Sequence, residues 1–291
     1  MTAKAAKAPT KKTKTAKPKA KVAATTKPSV AQKETGSPKN NLRAWNLRLG
    51  LLLVVMAVAV VVAGNSETVP VTTQYLAKDT LASEAAGHDV LATATRHLAD
   101  VRLSWIVAKF LLIFAVFYLL YATLLRKHYE TWLDGGVNKL RWVSLGAGTG
   151  LMAVAVAMLS GISDLGYLVL IFSSLLILGS LSTVVELIGP GRKLRKYVII
   201  TALCTAALPV IVIGRTAAGV PLYDGSLPTY MYYLYGSMFL VAGAVAAACI
   251  FRLRKRGKWA DTYYTERMFM GLGFAAATIL ALQIFAGALQ S

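Results

Sequence analysis

Seven long apolar runs dominate this chain and restrict what it can fold into. Each run is close to the ~20 residues that a helix needs to cross a bilayer, and 56% of the 291 residues are hydrophobic. Backbone polar groups in lipid have no water to bind, so continuous runs of this length must form helices. The sequence therefore predicts an all-α membrane protein, a bundle of seven transmembrane helices. The predicted spans are about 46–64, 102–125, 142–161, 165–188, 197–217, 229–251 and 267–289.

The basic residues lie on alternate loops, and this asymmetry predicts an orientation. Lysines and arginines are concentrated between spans two and three, four and five, and six and seven, whereas the other loops carry mixed or acidic charge. Loops with an excess of lysine and arginine stay in the cytoplasm. We therefore expect the N-terminus inside the cell, the C-terminus outside, and a multi-pass protein of the plasma membrane.

Residues 1–42 differ from the rest in composition, being rich in Lys, Ala, Thr and Pro without apolar periodicity. Such a segment cannot bury enough surface to offset the entropy of ordering. We predict a disordered cytoplasmic tail, followed by a seven-helix domain over residues 43–291. The lysines of the tail favour contact with anionic membrane lipids. Nucleic-acid binding is the alternative, but the tail lacks aromatic residues and arginines, and we do not predict it.

The loop between the first two spans, residues 65–100, is long enough to hold structure of its own. Residues 68–76 have the composition of a strand, and residues 89–95 can form a second one. The sequence therefore predicts a small β-hairpin on the outer side of the membrane. His88 and His97 lie in the same loop, but no third Cys or His accompanies them, so we predict no metal site.

Few charged side chains lie inside the spans. We expect Lys109, about two turns from the outer end of span two, to reach the interface or to pair with Asp100 or Asp164. Arg215, near the outer end of span five, is interpreted in the same way. We expect Glu186, at the cytoplasmic end of span four, to cap its helix or to pair with the basic loop that follows. No acid occupies the middle of a span, which disfavours a pump or an ion-coupled transporter.

Two further patterns concern packing and catalysis. Gly146, Gly148 and Gly150 lie in span three, where small residues at this spacing permit close approach of helices.

The motifs GxSxG, HExxH and CxxC and the phosphate-binding loop are absent from the sequence. Because these motifs supply nucleophiles, metal ligands or phosphate contacts, the chain is not predicted to be an enzyme.

Short motifs, in order along the chain, resemble one family of membrane proteins. They are Pro70, Thr72 and Tyr75 in the first loop, 140–143 (LRWV), 161–164 (GISD), 256–259 (RGKW), 266–267 (ER), and 283–285 (QIF) with Gly287. Over about residues 45–291 these motifs resemble heliorhodopsins. The resemblance implies a rhodopsin-like bundle of inverted topology with a small sheet in the first loop, and homodimerisation. It also implies retinal bound as a Schiff base to a lysine of the last helix, with a glutamate counterion in the third.

Several positions depart from the family pattern. No lysine occurs from Trp259 to the C-terminus, and a gap-free alignment from Trp259 places the retinal lysine on Ala277. The counterion position is Ser144, and the family's histidines of the first two helices fall on Leu53 and Phe117. A Schiff-base charge and its counterion are expected to be lost together, because either one alone would be a costly buried charge. We therefore predict no covalently bound cofactor. The residues expected to line a residual pocket are Gly273, Thr278 and Ser237.

These observations lead to three hypotheses about function. The first is a heliorhodopsin-like membrane protein, sensory or regulatory rather than pumping, without covalent retinal. It would act as a homodimer through an unidentified cytoplasmic protein partner. The second is a receptor that binds retinal, a carotenoid or a lipid non-covalently. The third, a small-solute transporter or channel, has the least support because intramembrane charges are missing.

Overall fold

The computed structural model describes residues 38–189, 191–222, 225–255 and 257–290. Within these residues the elements follow in the order α1 (Pro38–Ala63), β1 (Thr68–Lys78), α2 (Thr80–Ala86), β2 (Leu91–Arg102), α3 (Leu103–Ala122), α4 (Arg126–Asp134), α5 (Arg141–Leu159), α6 (Leu165–Ile188), α7 (Lys193–Leu222), α8 (Thr229–Arg254) and α9 (Thr262–Ile284). A 3₁₀ turn covers Gly257–Ala260, and a π-helical turn, Phe285–Leu289, extends α9.

Seven of the described helices, α1, α3, α5, α6, α7, α8 and α9, are long and apolar enough to cross a membrane. This confirms the predicted seven-helix bundle. The observed helices are longer than several predicted spans: α1 begins at Pro38 and α9 at Thr262. Helical hydrogen bonding continues beyond the apolar run, whereas the predicted limits followed hydropathy alone. Residues 1–37 of the predicted tail lie outside the described residues, and 38–42 belong to α1.

The predicted β-hairpin is present and longer than expected. Strands β1 and β2 pair antiparallel, with a register shift between Val71 and Thr72, and α2 lies between them, N-capped by Asp79. The amide of Thr72 donates to the carbonyl of Ser163 over 2.9 Å. The hairpin is therefore attached to the turn before α6. We call the end of the bundle formed by residues 64–102, 160–164 and 285–290 the hairpin face.

The opposite end of the bundle carries the α3–α5, α6–α7 and α8–α9 connections, and we call it the basic face. Its described connections are residues 123–140, residues 189 and 191–192, and residues 255 and 257–261. Helix α3 occupies the centre, packing against α1, α5 and α9, while α6 lies between α5 and α7. Most described side chains of α7 and α8 are exposed on the outside of this core. These two helices are therefore peripheral.

Glycines of α5 allow close approaches between helices, as predicted. A Cβ on Gly146 would lie 2.7 Å from the carbonyl oxygen of Leu175 on α6, and one on Gly150 would lie 2.8 Å from the ring of Phe172. Gly148 faces the other way, where the ring of Phe114 on α3 fills the space that a Cβ would need. The three glycines therefore serve two interfaces, α5–α6 and α5–α3.

Candidate functional site

The interior beside Ala277 is built from small residues of α9. Ala277 is fully buried, and Gly273 lies one turn earlier on the same side of the helix. A Cβ on Gly273 would lie 2.8 Å from the hydroxyl oxygen of Tyr118 and 3.3 Å from a methyl of Leu145. The region before Ala277 is thus enclosed by α3 and α5.

Aromatic side chains of α3 fill the space beside these small residues. The ring of Phe114 is completely buried and lies between Gly148 of α5 and Gly273 of α9. The hydroxyl of Tyr118 donates a 2.9 Å hydrogen bond to the carbonyl of Met270. Close packing leaves little freedom for such side chains to move. Small residues on α5 and α9 are therefore matched by large residues on α3.

Ser144, at the predicted counterion position, is a buried, neutral hydrogen-bonding group. Its hydroxyl donates to the carbonyl of Arg141 over 2.8 Å and accepts from the hydroxyl of Tyr121 over 3.5 Å. Leu53 and Phe117, at the two positions aligned with histidines, are a fully buried and a partly buried side chain. The side chain at 144 brings no negative charge to the interior.

The three predicted pocket residues contact different helices. Gly273 faces α3 and α5. The hydroxyl of Thr278 points to the sulfur of Met56 on α1, 3.7 Å away. Ser237 on α8 donates to the Oε1 of Gln283 over 2.8 Å. The described contacts of Gly273, Thr278 and Ser237 are therefore made with different helices, and their lining of one pocket stays a prediction.

A retinal Schiff base needs a lysine amine in the interior and an anion to balance its charge. Helix α9 contains no lysine. Lys109 of α3 is exposed, on the same helix side as Trp105 and away from the fully buried Phe110 and Phe114. Phe114 and Tyr118 occupy the space beside Gly273. The residues present do not fit a covalently bound retinal.

Four charged side chains form a buried group at the basic-face end of the bundle, and we call it the arginine–glutamate cluster (Arg141, Glu186, Arg252 and Glu266). Arg141 of α5 is its centre. Its Nη1 donates to Glu266 of α9 over 2.8 Å, and its Nη2 donates to both oxygens of Glu186 of α6 over 2.6 Å. The cluster contains two positive and two negative groups, so its charges balance.

Arg252 connects the peripheral helix α8 to this cluster. Its Nε lies 3.4 Å from Glu186, its Nη2 donates to the carbonyl of Gly136 over 2.6 Å, and its Nη1 donates to the carbonyl of Trp259 over 3.3 Å. The side chains of Arg141, Glu186, Arg252 and Glu266 are only 2%, 11%, 9% and 1% exposed. Since buried charges are costly unless paired, the cluster ties α5, α6, α8 and α9 into one arrangement.

Neutral polar groups extend the cluster towards α1 and α3. Asn138 donates to Glu266 over 2.6 Å, and the rings of Tyr121 and Tyr129 are stacked with centroids 4.6 Å apart. Burial raises the pKa of the Tyr129 hydroxyl well above its ordinary value, so the group stays neutral. The amide of Asn46 on α1 is buried beside the Tyr129 hydroxyl, and its interaction with that hydroxyl opposes part of the pKa shift.

The sequence prediction identified only part of this site. Glu186 was expected to cap α6 or to pair with the basic loop after it, but it binds arginines of α5 and α8. Glu266 was left outside the last predicted span, which began at residue 267, whereas α9 begins at Thr262 and buries Glu266 completely. An acid at the start of a long apolar helix is the signal that could have identified it.

The remaining predicted polar residues lie apart from the cluster. Lys109 and Arg215 are exposed. Asp100 accepts from the Nε2 of His97 over 3.0 Å, and Asp164 caps the N-terminus of α6 and accepts from the amide of Gln74. The expected pairing of Lys109 with either acid is therefore absent from the described residues.

Comparison with known proteins identifies the family. The family model described as heliorhodopsin matches residues 42–289. The match extends from the first turns of α1 to the end of the π-helical turn, and so includes all seven membrane-spanning helices and the hairpin. A search of curated proteins gave no match to the chain.

Proposed function

Because the chain belongs to the heliorhodopsin family, we propose that it is a sensory or regulatory membrane protein that works without covalently bound retinal. It is a multi-pass membrane protein, as its seven apolar helices indicate. The proposal places it in the plasma membrane with its N-terminus in the cytoplasm, acting through a cytoplasmic protein partner. It is not proposed to be an enzyme.

One observation carries this proposal: the last helix offers no amine to retinal. Ala277 is buried where the alignment places the lysine, and the aligned counterion position is the neutral Ser144. Loss of the lysine together with its counterion is the expected combination, because a lone acid or a lone amine in the apolar interior would be costly. The carboxylates of Glu186 and Glu266 are already bound by Arg141.

The visible spectrum tests the loss of covalent retinal. The full-length protein is purified in detergent, incubated with all-trans retinal and then treated with hydroxylamine. We expect no visible absorption band beyond that of free retinal. A red-shifted band that survives hydroxylamine would show a protected Schiff base and contradict the proposal. A retinal-binding heliorhodopsin processed in parallel verifies that the procedure detects a pigment.

The basic face is the surface proposed for the protein partner. The positive-inside rule supports its cytoplasmic location, because the exposed Lys127, Lys139, Arg192 and Lys196 lie at this end. Labelling of single cysteines in intact cells tests the orientation: Lys139→Cys should be protected from an impermeant reagent, and Glu84→Cys on the hairpin face should react. Cross-linking in membranes tests the proposed homodimer and can recover the partner.

Non-covalent binding of an apolar ligand is a second candidate, and one observation favours it. Helices α7 and α8 pack against α6 and α9 respectively, but not closely against each other. Space is open beside Gly236 and Gly243 of α8, where a Cβ would meet no atom within 4 Å. A retinoid, carotenoid or lipid could occupy the side of the bundle between these helices. Native mass spectrometry showing one apolar ligand per chain would support this candidate, and ligand-free protein would contradict it.

A transport function has less support. Glu186 and Glu266 are the acids within the described spans, and both lie near the basic-face ends of their helices and are bound to Arg141. A proton or ion relay needs titratable groups along the membrane interior. We infer that the chain does not pump ions, and a flux assay in liposomes tests this inference.

A further inference from the structure

A cleft on the hairpin face contains two cations that form no ion pair with another described residue. It has a volume of about 300 Å³ and is lined by Asp100, Val101, Arg102, Trp105 and Lys109. Arg102 and Lys109 are exposed, and neither forms an ion pair with a described acidic side chain. The nearest acid in sequence, Asp100, is held by His97 at 3.0 Å. The cleft therefore has positive charge available for a ligand.

The position of Lys109 indicates where that ligand comes from. Lys109 lies six residues after the start of α3 at Leu103, or about 9 Å along the helix axis. This depth is inside the apolar span, and its exposed side chain faces the surroundings of the bundle. A charged lysine is costly in hydrocarbon, so its amine must reach the polar boundary. Side chains on a helix lean towards its N-terminus, which directs Lys109 towards Arg102 and the hairpin face.

Trp105 and Lys109 share one side of α3, because they are four residues apart, and Arg102, the extended residue that precedes the helix, lines the same cleft. Trp105 is 51% exposed in the first turn of the helix, the position at which tryptophan marks the boundary between lipid and water. A planar guanidinium can bind two oxygens of a phosphate, and an ammonium supplies a further point charge. The three side chains thus offer two phosphate contacts and an amphipathic ring at the depth of lipid headgroups.

We propose that this cleft binds the phosphodiester of a glycerophospholipid from the leaflet on the hairpin face. Arg102 and Lys109 bind the phosphate oxygens, and Trp105 packs against the glycerol and the first methylenes of the acyl chains. Among the residues that line the cleft, the two cations and Asp100 leave one net positive charge, which matches the single negative charge of a phosphodiester. The site is independent of retinal and of the arginine–glutamate cluster, so it does not rest on the proposed function.

Native mass spectrometry of the full-length protein tests the site. The protein is delipidated in detergent and titrated with dioleoylphosphatidylglycerol. We expect Arg102→Gln/Lys109→Gln to weaken the tightest lipid-binding step by roughly tenfold or more, since each charged contact contributes. The matched control is Arg96→Gln/Lys78→Gln, which removes the same charge from exposed positions on the hairpin strands. It should bind as the wild type does.

Two outcomes would overturn the proposal. Unchanged affinity in Arg102→Gln/Lys109→Gln would show that the cleft is not the lipid site. Displacement of the lipid by an equal concentration of inorganic phosphate would show that the cleft takes the free anion. If the double variant does not fold, Lys109→Met carries the test, because methionine is compatible with a lipid-exposed helix position. Weaker binding in that variant supports the site, and unchanged binding contradicts it.

Discussion

The Nη1 of Arg141 on α5 donates a 2.8 Å hydrogen bond to the carboxylate of Glu266 on α9, and both side chains are almost completely buried. The two residues are 125 positions apart in the sequence. The guanidinium also lies 4.9 Å from the ring centre of Phe269, one turn after Glu266. This contact joins the third and seventh membrane-spanning helices through an ion pair. Separating the two helices would leave a buried charge without its partner on each of them, which is costly.

Removing the arginine from this pair should destabilise the fold strongly. Arg141→Met would remove the guanidinium that pairs with Glu266, while neutral groups such as Asn138 would still donate to this carboxylate. Breaking a buried pair by deleting one partner costs roughly 3–5 kcal/mol, because the other charge stays buried. The free energy of unfolding can be measured by denaturant titration in detergent micelles. Lys139→Met, two residues earlier and exposed, is the matched control and should change stability little.

The double variant Arg141→Met/Glu266→Gln separates pairing from packing. If the cost of Arg141→Met comes from an unpaired carboxylate, neutralising Glu266 should recover part of it, with a coupling energy of about 0.5–3 kcal/mol. Strictly additive losses from the two single changes would contradict the pairing described here. In that case the loss would come from the packing of the arginine stem against Trp142 and Phe269.

Hydropathy and local composition were sufficient to predict the helices and the hairpin. The span predicted at 165–188 coincides with α6, because Asp164 caps its first turn and Gly189, at a φ of 72°, follows its last residue. The strand at residue 68 was predicted from its β-branched residues, and the structure extends it to Lys78. These features are local, so the residues that determine them are neighbours in the sequence.

The arginine–glutamate cluster could not be predicted in the same way. Glu186 lies beside the basic residues of the α6–α7 connection in the sequence, which made them its expected partners. Its arginines are instead 45 and 66 positions away, on α5 and α8. Their meeting depends on the rotation and crossing of helices, which hydropathy does not determine. Likewise, hydropathy does not determine which helices Gly273, Thr278 and Ser237 contact.

A methyl group on Gly148 should disrupt the contact between α5 and α3. The Cβ of Gly148→Ala would overlap the ring of Phe114, which is fully buried and has little room to move. Overpacking of this kind costs about 1–3 kcal/mol. Gly243→Ala on α8 is the control, because no atom lies within 4 Å of the added Cβ. There, loss of the glycine's backbone freedom should stabilise the helix by about 0.5–1 kcal/mol.

The two substitutions should therefore shift the unfolding temperature in opposite directions. Both replace a glycine within an apolar helix by the same residue, so helix propensity alone predicts the same sign for both. A rise in unfolding temperature for Gly148→Ala would show that Phe114 can be displaced. That result would also weaken the argument that aromatic side chains of α3 fill the interior beside Gly273.

A lysine at position 277 should be poorly tolerated in the present interior. Ala277→Lys would place an amine in a fully buried position with no acid at Ser144 to balance it. A lysine near the centre of a membrane helix costs about 2.5–3.5 kcal/mol on insertion scales. Ala277→Met has a similar length and no charge, so the difference in unfolding free energy between the two variants isolates the cost of the charge.

Adding Ser144→Glu to Ala277→Lys tests whether a carboxylate at position 144 can still interact with an amine at position 277. Ser144 precedes Leu145, which lies beside Gly273, one turn before Ala277. We expect the acid to recover part of the stability lost with the lysine, while Ser144→Glu alone should be destabilising. No recovery would show that the two positions are too far apart to interact, and would count against the alignment of Ser144 with the family's counterion.

An ion pair on the basic face should make the stability of the fold vary with pH in the acid range. Asp134 at the end of α4 accepts from Lys39 over 2.7 Å and from the hydroxyl of Tyr263 over 2.6 Å. These hydrogen bonds, that of Lys39 first, hold the pKa of the Asp134 carboxyl below its ordinary value. A depressed folded-state pKa stabilises the fold fully above the unfolded value of about 3.9, and the stabilisation is lost as the pH falls through the folded value.

Asp134→Asn should therefore lower the unfolding temperature slightly at neutral pH. The unfolding temperature of this variant should also fall less than that of the wild type between about pH 5 and pH 3, where aspartates are protonated. Glu84→Gln removes an exposed carboxylate of α2 that forms no ion pair with a described residue, and serves as the control. Its pH profile should follow that of the wild type. If the profile of Asp134→Asn also coincides with the wild type, the contact among Lys39, Asp134 and Tyr263 does not contribute to the stability of the protein in solution.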